Sequence, residues 1–297
     1  MNRTITYSIT ANQQNMTIQQ FLKMQGYSRQ NIVALKKLPE SILVNGRWEY
    51  VSYRLQEGEE LTIVMAEDSS SAKIVPINLP LTIVYEDEDI LILNKPANMP
   101  IHPSLNNYEN TLANAVAYYY EQQNKPFIFR CVNRLDRDTT GLTILAKNML
   151  SAGILSEMIS KREIQREYLA IADGIGITPK SGTINAPIAR MDGSTIERCV
   201  DFENGERAVT HYEVLQESIE NNLSLINLWL ETGRTHQIRV HMKHLGYPLI
   251  GDFLYHPENT KISRQALHAH RLTFLHPITK EPLCFTAPLP EDMANLL

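Results

Sequence analysis

The first 66 residues alternate between helical and strand-like spacing of their hydrophobic positions. In TIQQFLKMQGYS, Ile18, Phe21 and Leu22 recur at helical spacing, and a threonine stands at the predicted N-cap. RQNIVALKKL predicts a second short helix with Ser28 as its N-cap. ILVNGRWEYV predicts two strands joined by an Asn-Gly turn, and LQEGEELTIVM predicts another turn and strand. We therefore expect a small α/β domain over residues 1–66.

The predicted helices and hairpin carry an excess of positive charge. Between residues 17 and 47 one acid, Glu40, stands against five basic residues, which are Lys23, Arg29, Lys36, Lys37 and Arg47. A solvated helix face is the ordinary explanation of such charge. The order of elements, carried by SRQNIVALKK, ILVNG and LQEGEELTIV, resembles the alpha-L RNA-binding motif of a small-subunit ribosomal protein and several RNA-modifying enzymes. The resemblance implies an RNA-binding domain that uses Arg29, Lys36, Lys37 and Arg47.

The pattern changes after this segment. Residues 67–79, EDSSSAKIVPINL, are interpreted as an interdomain linker. From residue 80 the chain is strand-rich, in LTIVYEDEDILILNKP, GLTILAK, REYLAIADG, RAVTHYEVL, SLINLWLE, ALHAHRLTFLHP and EPLCFTAPL. Two helical stretches interrupt these strands, NMLSAGILSEMISK and RTHQIRVHMKHLG, and the second is predicted to end at Gly246. Many strands without a repeating βαβ unit predict an α+β fold with a mixed, mainly antiparallel sheet and flanking helices over residues 80–297.

Composition refines this picture only slightly. A chain of 297 residues with 43% hydrophobic and 21% charged residues is typical of a globular protein of two domains. MNRTITYSIT indicates a strand and not a signal peptide, and no apolar run approaches membrane length. Cys131, Cys199 and Cys284 form no CxxC pair, which argues against a disulfide framework and favours a cytoplasmic protein. The net charge of −5 argues only weakly against nucleic acid, because the basic residues are clustered.

Four polar clusters contain the residues that could do chemistry: NKPANMPIHPS, CVNRLDRDTTGLTILAKN, REIQREYLAIADG and ETGRTHQIRVHMKHLGYPLIGD. Taken singly, each has an ordinary explanation as a solvated surface, a structural ion pair or packing. His236, His241 and His244 lack the spacing and the intervening glutamate of a zinc protease, so we expect no metal. The lack of P-loop, GxGxxG and GxSxG sequences argues against phosphoryl transfer, a dinucleotide cofactor and an α/β-hydrolase.

Together, the four clusters resemble the RluA-type pseudouridine synthase family, with RLDxxTxG and GRTHQIRVH as the most specific parts. ALHAHRLTFLHPITKEPLCFTAPLPEDM extends the resemblance, which covers residues 80–297, and an alpha-L domain often precedes this catalytic domain. The resemblance implies isomerisation of uridine to pseudouridine in structured RNA without a cofactor, because reactant and product have the same atoms. Ribosomal large-subunit (23S) RNA is the expected substrate and tRNA the alternative. We also expect a monomer with no membrane partner.

The resemblance further implies a role for individual residues. Asp136 is the family's essential carboxylate, acting as nucleophile or base, with Arg239 as its guanidinium partner and Tyr168 stacked on the extruded base. A guanidinium nearby also stabilises an ionised carboxylate. Arg234 stands in the turn that opens a helix, where an RNA phosphate is favoured. The residues predicted to bind substrate are Arg134, Arg234, Leu267, Lys95 and His102.

Two positions depart from the family pattern. Asn133 replaces the histidine that usually precedes RLD, and an amide cannot supply a charged contact. Asn98 replaces a glycine in the NKPA loop, but asparagine tolerates a left-handed backbone, so we expect the turn to persist.

Two other classes of function compete with this interpretation. A non-catalytic RNA-binding or ribosome-assembly factor could keep the fold, although the presence of Asp136, Tyr168 and Arg239 together argues against it. A hydrolase could use Asp136 and Asp138 as an acid–base pair, since residues two apart share a face of an extended segment. That hypothesis leaves the other three clusters unexplained, and we expect Asp138 to be a structural residue of the turn.

Overall fold

The computed structural model describes residues 2–67, 69–105 and 107–297, so Asp68 of the predicted linker lies outside the described residues. The α-helices are α1 Ile18–Met24, α2 Arg29–Lys37, α3 Leu112–Glu121, α4 Met149–Ser160, α5 Gln237–His244 and α6 Glu291–Ala294. The strands are β1 Asn2–Ser8, β2 Ile42–Val44, β3 Arg47–Trp48, β4 Glu60–Ala66, β5 Ile83–Glu86, β6 Ile90–Lys95, β7 Thr140–Ala146, β8 Gln165–Asp173, β9 Ser181–Asn185, β10 Ile188–Arg190, β11 Arg198–Val200, β12 Val209–Ser218, β13 Leu223–Leu230, β14 Leu267–Leu275 and β15 Pro282–Thr286. Across the described part of the chain, none of these helices has the length and apolar character needed to cross a bilayer.

The chain forms two compact units. The first unit comprises Met1–Ile92, His102–Val132 and Ile144–Ser160, and the second comprises Leu93–Ile101, Asn133–Thr143 and Lys161–Leu297. Strands β6 and β7 each have residues in both units. The predicted boundary near residue 66 and the predicted linker stay predictions.

The first unit contains a four-stranded antiparallel sheet in the order β1-β4-β2-β3. Asn45 and Gly46 join β2 to β3 with φ angles of 48° and 78°, and a tight type I′ hairpin requires positive φ at both positions. Thr17 and Ser28 cap α1 and α2 by accepting the backbone N–H of Gln20 and Asn31. The predicted turn and both predicted caps are therefore confirmed.

The first unit also includes α3, which the sequence analysis missed. Its N-terminus has a capping box between Thr111 and Asn114, and Leu112, Val116 and Tyr120 are buried. Three consecutive tyrosines favour a strand by propensity, but burial of one face of the segment outweighs that preference. The predicted α4 is confirmed.

The second unit is built on strands in the order β7-β14-β8-β13-β12-β9, with β15 also paired to β14. β7 and β14 pair parallel, whereas β8, β12, β13, β9 and β15 pair antiparallel with their neighbours. The predicted α+β class with a mixed, mainly antiparallel sheet is confirmed. Strands β9 to β11 were not predicted, and β10 and β11 form a separate two-stranded sheet.

Gly141 permits the parallel contact between β7 and β14. Its φ is +111°, and a Cβ at this position would overlap the backbone of Ala269 on β14. A side chain is therefore excluded for two reasons, the backbone conformation and the lack of space. The strand that follows the RLD loop is fixed against β14 by this glycine.

Candidate active site

Asn133 anchors the start of the loop that carries Asp136. Its side chain is 3% exposed, and its Nδ2 donates to the carbonyl of Leu142 on β7 at 3.1 Å. The hydroxyl of Thr143 donates back to the Asn133 carbonyl at 2.8 Å. The amide thus serves the folding of the loop, a role that an uncharged side chain fulfils.

Lys95, at the end of β6, forms a hydrogen bond to the same loop. Its ammonium donates to the carbonyls of Pro96 at 2.7 Å, Met99 at 3.0 Å and Arg137 at 2.9 Å. The side chain is 1% exposed, and burial lowers its pKa to about 7, against the effect of nearby Asp138 and Asp136. The geometry gives Lys95 a positioning role, and its predicted contact with substrate stays a prediction.

Asp138 belongs to the turn that follows Asp136. Its Oδ1 accepts the backbone N–H of Asn98 at 3.1 Å, and its Oδ2 accepts Nε and Nη2 of Arg137 at 2.9 and 2.8 Å. Asn98 has a φ of 54°, so the predicted left-handed turn is confirmed. These contacts commit the Asp138 carboxylate to the turn, as predicted from the sequence.

Arg239, on α5, lies between two carboxylates. Its Nε and Nη2 donate to Asp252 at 2.6 and 2.7 Å, and its Nη1 donates to Oδ2 of Asp136 at 3.0 Å. Burial lowers the pKa of Arg239, but the two carboxylates outweigh burial and hold the pKa above its ordinary value. Asp252 also accepts the backbone N–H of Leu254 and Tyr255, both at 3.1 Å. The guanidinium is thus a fixed cation, and Asp252 was not identified from the sequence.

One oxygen of Asp136 is left open. The side chain is 29% exposed, and Oδ2 receives the single bond from Arg239. Oδ1 receives no hydrogen bond from any residue that the structure describes. The arrangement therefore holds the carboxylate in one direction while one of its oxygens can approach a substrate atom.

His236 is the second group near Asp136. Its Nε2 lies 3.8 Å from Oδ2 of Asp136, and its Nδ1 lies 2.9 Å from the Tyr255 hydroxyl. The same hydroxyl accepts the backbone N–H of Arg198, and its own proton is available to Nδ1 in the tautomer that carries its proton on Nε2. Burial raises the pKa of Tyr255 to about 12 and lowers that of His236, so both are neutral near pH 7. From the sequence, His236 was considered only as a metal ligand.

An apolar surface lies behind the loop. Leu135 packs in one buried cluster with Tyr168, Ile238 and Leu267. Tyr168 and Leu267 are each 5% exposed, and Tyr168 lies on β8 between β13 and β14. Burial raises the pKa of Tyr168, so its phenol stays protonated. The cluster joins the residues next to Asp136 and Arg239 to the predicted stacking tyrosine.

Arg134 and Arg234 line one polar cleft of about 450 Å³ in the second unit. Two further arginines, Arg190 and Arg198, line it as well, and among the described residues Glu206 is the one acid in its lining. Glu206 forms an ion pair with Arg234. Four guanidinium groups around one cleft give it a positive potential that suits a phosphodiester backbone. Arg190 and Arg198 were missed because they come from a ribbon, β10–β11, that was not predicted.

Comparison with known proteins shows the family to which this chain belongs. The RNA pseudouridylate synthase family profile matches residues 89–244, more than half of the chain. The ribosomal large subunit pseudouridine synthase D of Escherichia coli K12 is 37% identical over 310 aligned residues, covering 99% of this chain and 93% of that one. The chain belongs to the RNA pseudouridine synthase family. It is therefore an enzyme that converts uridine to pseudouridine in RNA.

Other relatives agree with this assignment to the RNA pseudouridine synthases. An uncharacterized RNA pseudouridine synthase of Bacillus subtilis, YjbO, is 38% identical and aligns with 95% of this chain and 98% of its own. The human RNA pseudouridylate synthase domain containing 1 structure matches with a TM-score of 0.59 at 29% identity, covering 70% of this chain and 83% of that chain. The similarity thus extends from sequence to fold.

The remaining predicted site residues of this pseudouridine synthase lie in the first unit. His102 is exposed, and its ring forms a T-shaped pair with that of Phe129, with 5.0 Å between the ring centroids. The predicted RNA-binding residues are all exposed: Arg29, Lys36, Lys37 and Arg47. Their roles stay predictions.

Proposed function

We propose that this enzyme isomerises uridine in 23S ribosomal RNA and that Asp136 is its essential carboxylate. The observation that carries the proposal is the Arg239–Asp136 contact of 3.0 Å, which holds a partly exposed carboxylate one residue after Leu135, a member of the cluster that contains the buried Tyr168. The RNA target is supported by the name of the Escherichia coli relative, which aligns with 99% of the chain.

The reaction needs few groups. The bond from N1 of uracil to C1′ of ribose breaks, the base turns, and a bond from C5 to C1′ forms. C5 loses a proton and N1 gains one, so the atoms balance without an added reactant. Asp136 would either attack C1′ or remove a ribose proton, and both roles need an ionised oxygen aimed at the sugar. The open Oδ1 supports either role.

Holding the extruded base is the second task. A uridine must leave its helix or loop to reach Asp136, and the unstacking costs a few kcal/mol. We assign Tyr168 and Leu267 to the surface that receives the uracil ring, because both share the cluster with Leu135. Stacking of this kind returns about 1–3 kcal/mol per base. Arg134 would enter the space that the base leaves, and its exposed position supports that role.

The cleft of four arginines would hold the strand on either side of the uridine. Each neutralised phosphate makes binding more dependent on salt, with a slope of about 0.7–0.9 per contact. This proposal extends the predicted phosphate site from Arg234 to Arg190 and Arg198, and it leaves Arg134 at the uridine itself.

Mapping of pseudouridines tests the proposal. We expect cells that lack the protein to lose pseudouridine at defined positions of 23S RNA, and the wild-type gene to restore it. Asp136→Asn should give no pseudouridine while RNA affinity stays within about threefold, because the variant is isosteric. The control is Asp192→Asn, an exposed aspartate of the same unit, which should remain active. An active Asp136→Asn enzyme would overturn the assignment of the carboxylate, and loss of sites only in tRNA would overturn the RNA target.

We further propose that residues 1–66 clamp RNA through α2. The last turn of α2 presents Lys36 and Lys37, which are both exposed and both among the RNA-binding residues predicted from the alpha-L resemblance. In the full-length protein, Lys36→Gln with Lys37→Gln should weaken RNA binding and lower the salt slope by about 1.5. The control for charge alone is Lys180→Gln with Lys261→Gln, at two exposed lysines of the second unit. Equal slopes in the two double variants would refute the clamp.

A further inference from the structure

Phe253 is a large aromatic side chain left open next to a fully buried acid. It is 52% exposed, whereas Asp252 before it is 0% exposed. The turn that carries Phe253 is rigid, because Asp252 accepts the backbone N–H of both Leu254 and Tyr255. The exposure of Phe253 is therefore a property of a fixed turn, and packing within the protein leaves more than half of this side chain uncovered.

Two guanidinium groups lie over the Phe253 ring. The Cζ of Arg239 is 5.7 Å from the ring centroid, and the Cζ of Arg137 is 5.9 Å from it. Both cations are themselves held by carboxylates, Arg239 by Asp252 and Arg137 by Asp138. The ring is thus oriented by two fixed charges, since cations prefer the face of an aromatic ring.

The position of the ring relates it to the chemistry. Arg239 contacts Phe253 and also donates to Asp136, so a single guanidinium separates the ring from the carboxylate. Tyr168 and Leu267, which we assign to the extruded uracil, are each only 5% exposed. Phe253 is open by comparison, and it therefore lies at the rim and not in the interior of the site.

We propose that Phe253, together with the Arg137 guanidinium, stacks on a nucleobase that flanks the extruded uridine in the same RNA strand. This inference rests on the proposed role of Asp136 as the carboxylate at which the uridine reacts. Unpaired bases in RNA are held on aromatic rings and on arginine planes, and every base offers a face for such a stack. Arg137 is 49% exposed in its side chain, which leaves it able to meet the base or its phosphate.

The charges at the ring favour RNA over a protein partner. An apolar protein surface that covered Phe253 would also have to cover the exposed Arg137 cation, at a cost in desolvation. A nucleotide offers an apolar face to the ring and an anion to the cation. The two features of the patch, an open aromatic ring and a flanking guanidinium, therefore fit one ligand.

Kinetics of three variants test the proposal. The probe is the 23S RNA transcript without modifications, at one fixed salt concentration. Phe253→Leu keeps an apolar side chain but removes the ring, and we expect kcat/KM to fall about 5- to 150-fold, the value of one stacked base. Phe253→Tyr keeps the ring and should stay within about threefold of wild type. The control is Phe202→Leu, at a phenylalanine of the same unit that is 70% exposed, which should leave kcat/KM unchanged.

A double-mutant cycle identifies the base. Once the wild-type enzyme has shown which uridine it modifies, a short RNA with that uridine is made with an abasic nucleotide on its 5′ or 3′ side. At one of these two positions the abasic change should slow the wild-type enzyme and have no further effect on Phe253→Leu. Additive effects at both positions, or a Phe253→Leu enzyme as fast as wild type, would overturn the proposal.

The same design separates this inference from the proposed function. If the wild-type enzyme modifies tRNA and not 23S RNA, the proposed target fails, and the cycle is carried out on the modified tRNA loop. If wild-type activity is normal and the cycle is additive, Phe253 fails alone. Equal unfolding temperatures of the three variants and the wild type show that the differences in rate arise at the RNA.

Discussion

Replacing Asp252 by asparagine should damage the enzyme although Asp252 would touch no substrate. Asp252 is 0% exposed, and its two oxygens accept Nε and Nη2 of Arg239 at 2.6 and 2.7 Å. The amide of asparagine accepts through one oxygen only, and its NH2 group would face a guanidinium N–H. Asp252→Asn therefore removes one charge-assisted hydrogen bond, creates one donor–donor contact and leaves Arg239 with Asp136 as its remaining charged partner.

The magnitude follows from these losses. Breaking a buried ion pair by removing one partner costs about 3–5 kcal/mol. Arg239 keeps its contact with Asp136, and the asparagine oxygen can still accept the N–H groups of Leu254 and Tyr255, so we expect the lower end, about 3 kcal/mol. At roughly 2–4 °C per kcal/mol, the unfolding temperature should fall by about 6–12 °C. Because Arg239 also aims Asp136, a shift of its guanidinium should reduce kcat about 10²-fold.

The assay compares stability and turnover in one matched pair. Asp292 accepts the same bidentate pair of hydrogen bonds from Arg264, at 2.7 and 2.8 Å, but the Asp292 side chain is 44% exposed. Asp292→Asn should cost less than about 1 kcal/mol and leave kcat unchanged, since solvent replaces the lost contact. Turnover is measured well below both unfolding temperatures, and RNA affinity is measured separately. Equal loss of stability in the two variants, or a kcat of Asp252→Asn close to that of wild type, would refute this reasoning.

Two shorter predictions concern stability. Gly141→Ala should lose at least about 3 kcal/mol of unfolding free energy in urea, because the added Cβ would overlap the backbone of β14. The control is Gly193→Ala, which has a φ of +77° and no atom within 4 Å of the added Cβ, and it should lose about 1 kcal/mol. Equal losses would show that backbone conformation alone determines the cost. Burial lowers the pKa of His256, but contacts with Asp173 at 2.7 Å and Glu258 at 2.9 Å outweigh it and raise the pKa. A group with a raised pKa stabilises the fold fully below about pH 6.5, its unfolded pKa, and this stabilisation is lost as the pH rises through the folded pKa. In chemical denaturation, the unfolding free energy of wild type should therefore exceed that of His256→Gln most at pH 6 and least at pH 8.

Local structure was predictable where neighbouring residues decide it. The caps at Thr17 and Ser28 and the hairpin at Asn45 and Gly46 depend on contacts within four residues, and each is present as predicted. The end of α5 near Gly246 depends on a left-handed residue, and its φ is +90°. A backbone hydrogen bond or a φ preference acts at short range, so sequence patterns contain enough information to place it.

The long-range part of the site could not be derived from spacing. Arg239 lies 103 residues from Asp136 and 13 from Asp252, and no periodicity relates these positions. The family resemblance supplied the pairing of Arg239 with Asp136. Asp252 is the last residue of the fourth polar cluster, but no role was predicted for it. Lys95 shows the same limit, because a lysine in a loop suggests a substrate contact, while the fold encloses it among three carbonyls. Burial of this kind depends on how the sheet brings loops together.

The unequal sharing of Arg239 supports the role that we propose for Asp136, because the carboxylate is held while one of its oxygens stays open. Asp252 takes two of the guanidinium contacts and two backbone N–H groups, so its charge is fully compensated in the interior. Asp136 takes one contact and is 29% exposed. The three groups together carry one negative charge, and it resides at the solvent side, on Asp136. In the proposed reaction this charge faces the ribose carbon that becomes positive as the glycosidic bond breaks.

The same negative charge would repel the phosphates of an approaching RNA, and the arginine cleft offsets that repulsion. Two like charges about 6 Å apart repel by roughly 3 kcal/mol at the effective dielectric of a protein surface. The cleft supplies four guanidinium groups, on Arg134, Arg190, Arg198 and Arg234, against one acid. Arg134 lies two residues before Asp136, so a cation that we propose to contact the RNA and the carboxylate that we propose to act on it share one loop. Neutralising the cleft should therefore slow association with RNA far more than it slows the chemical step.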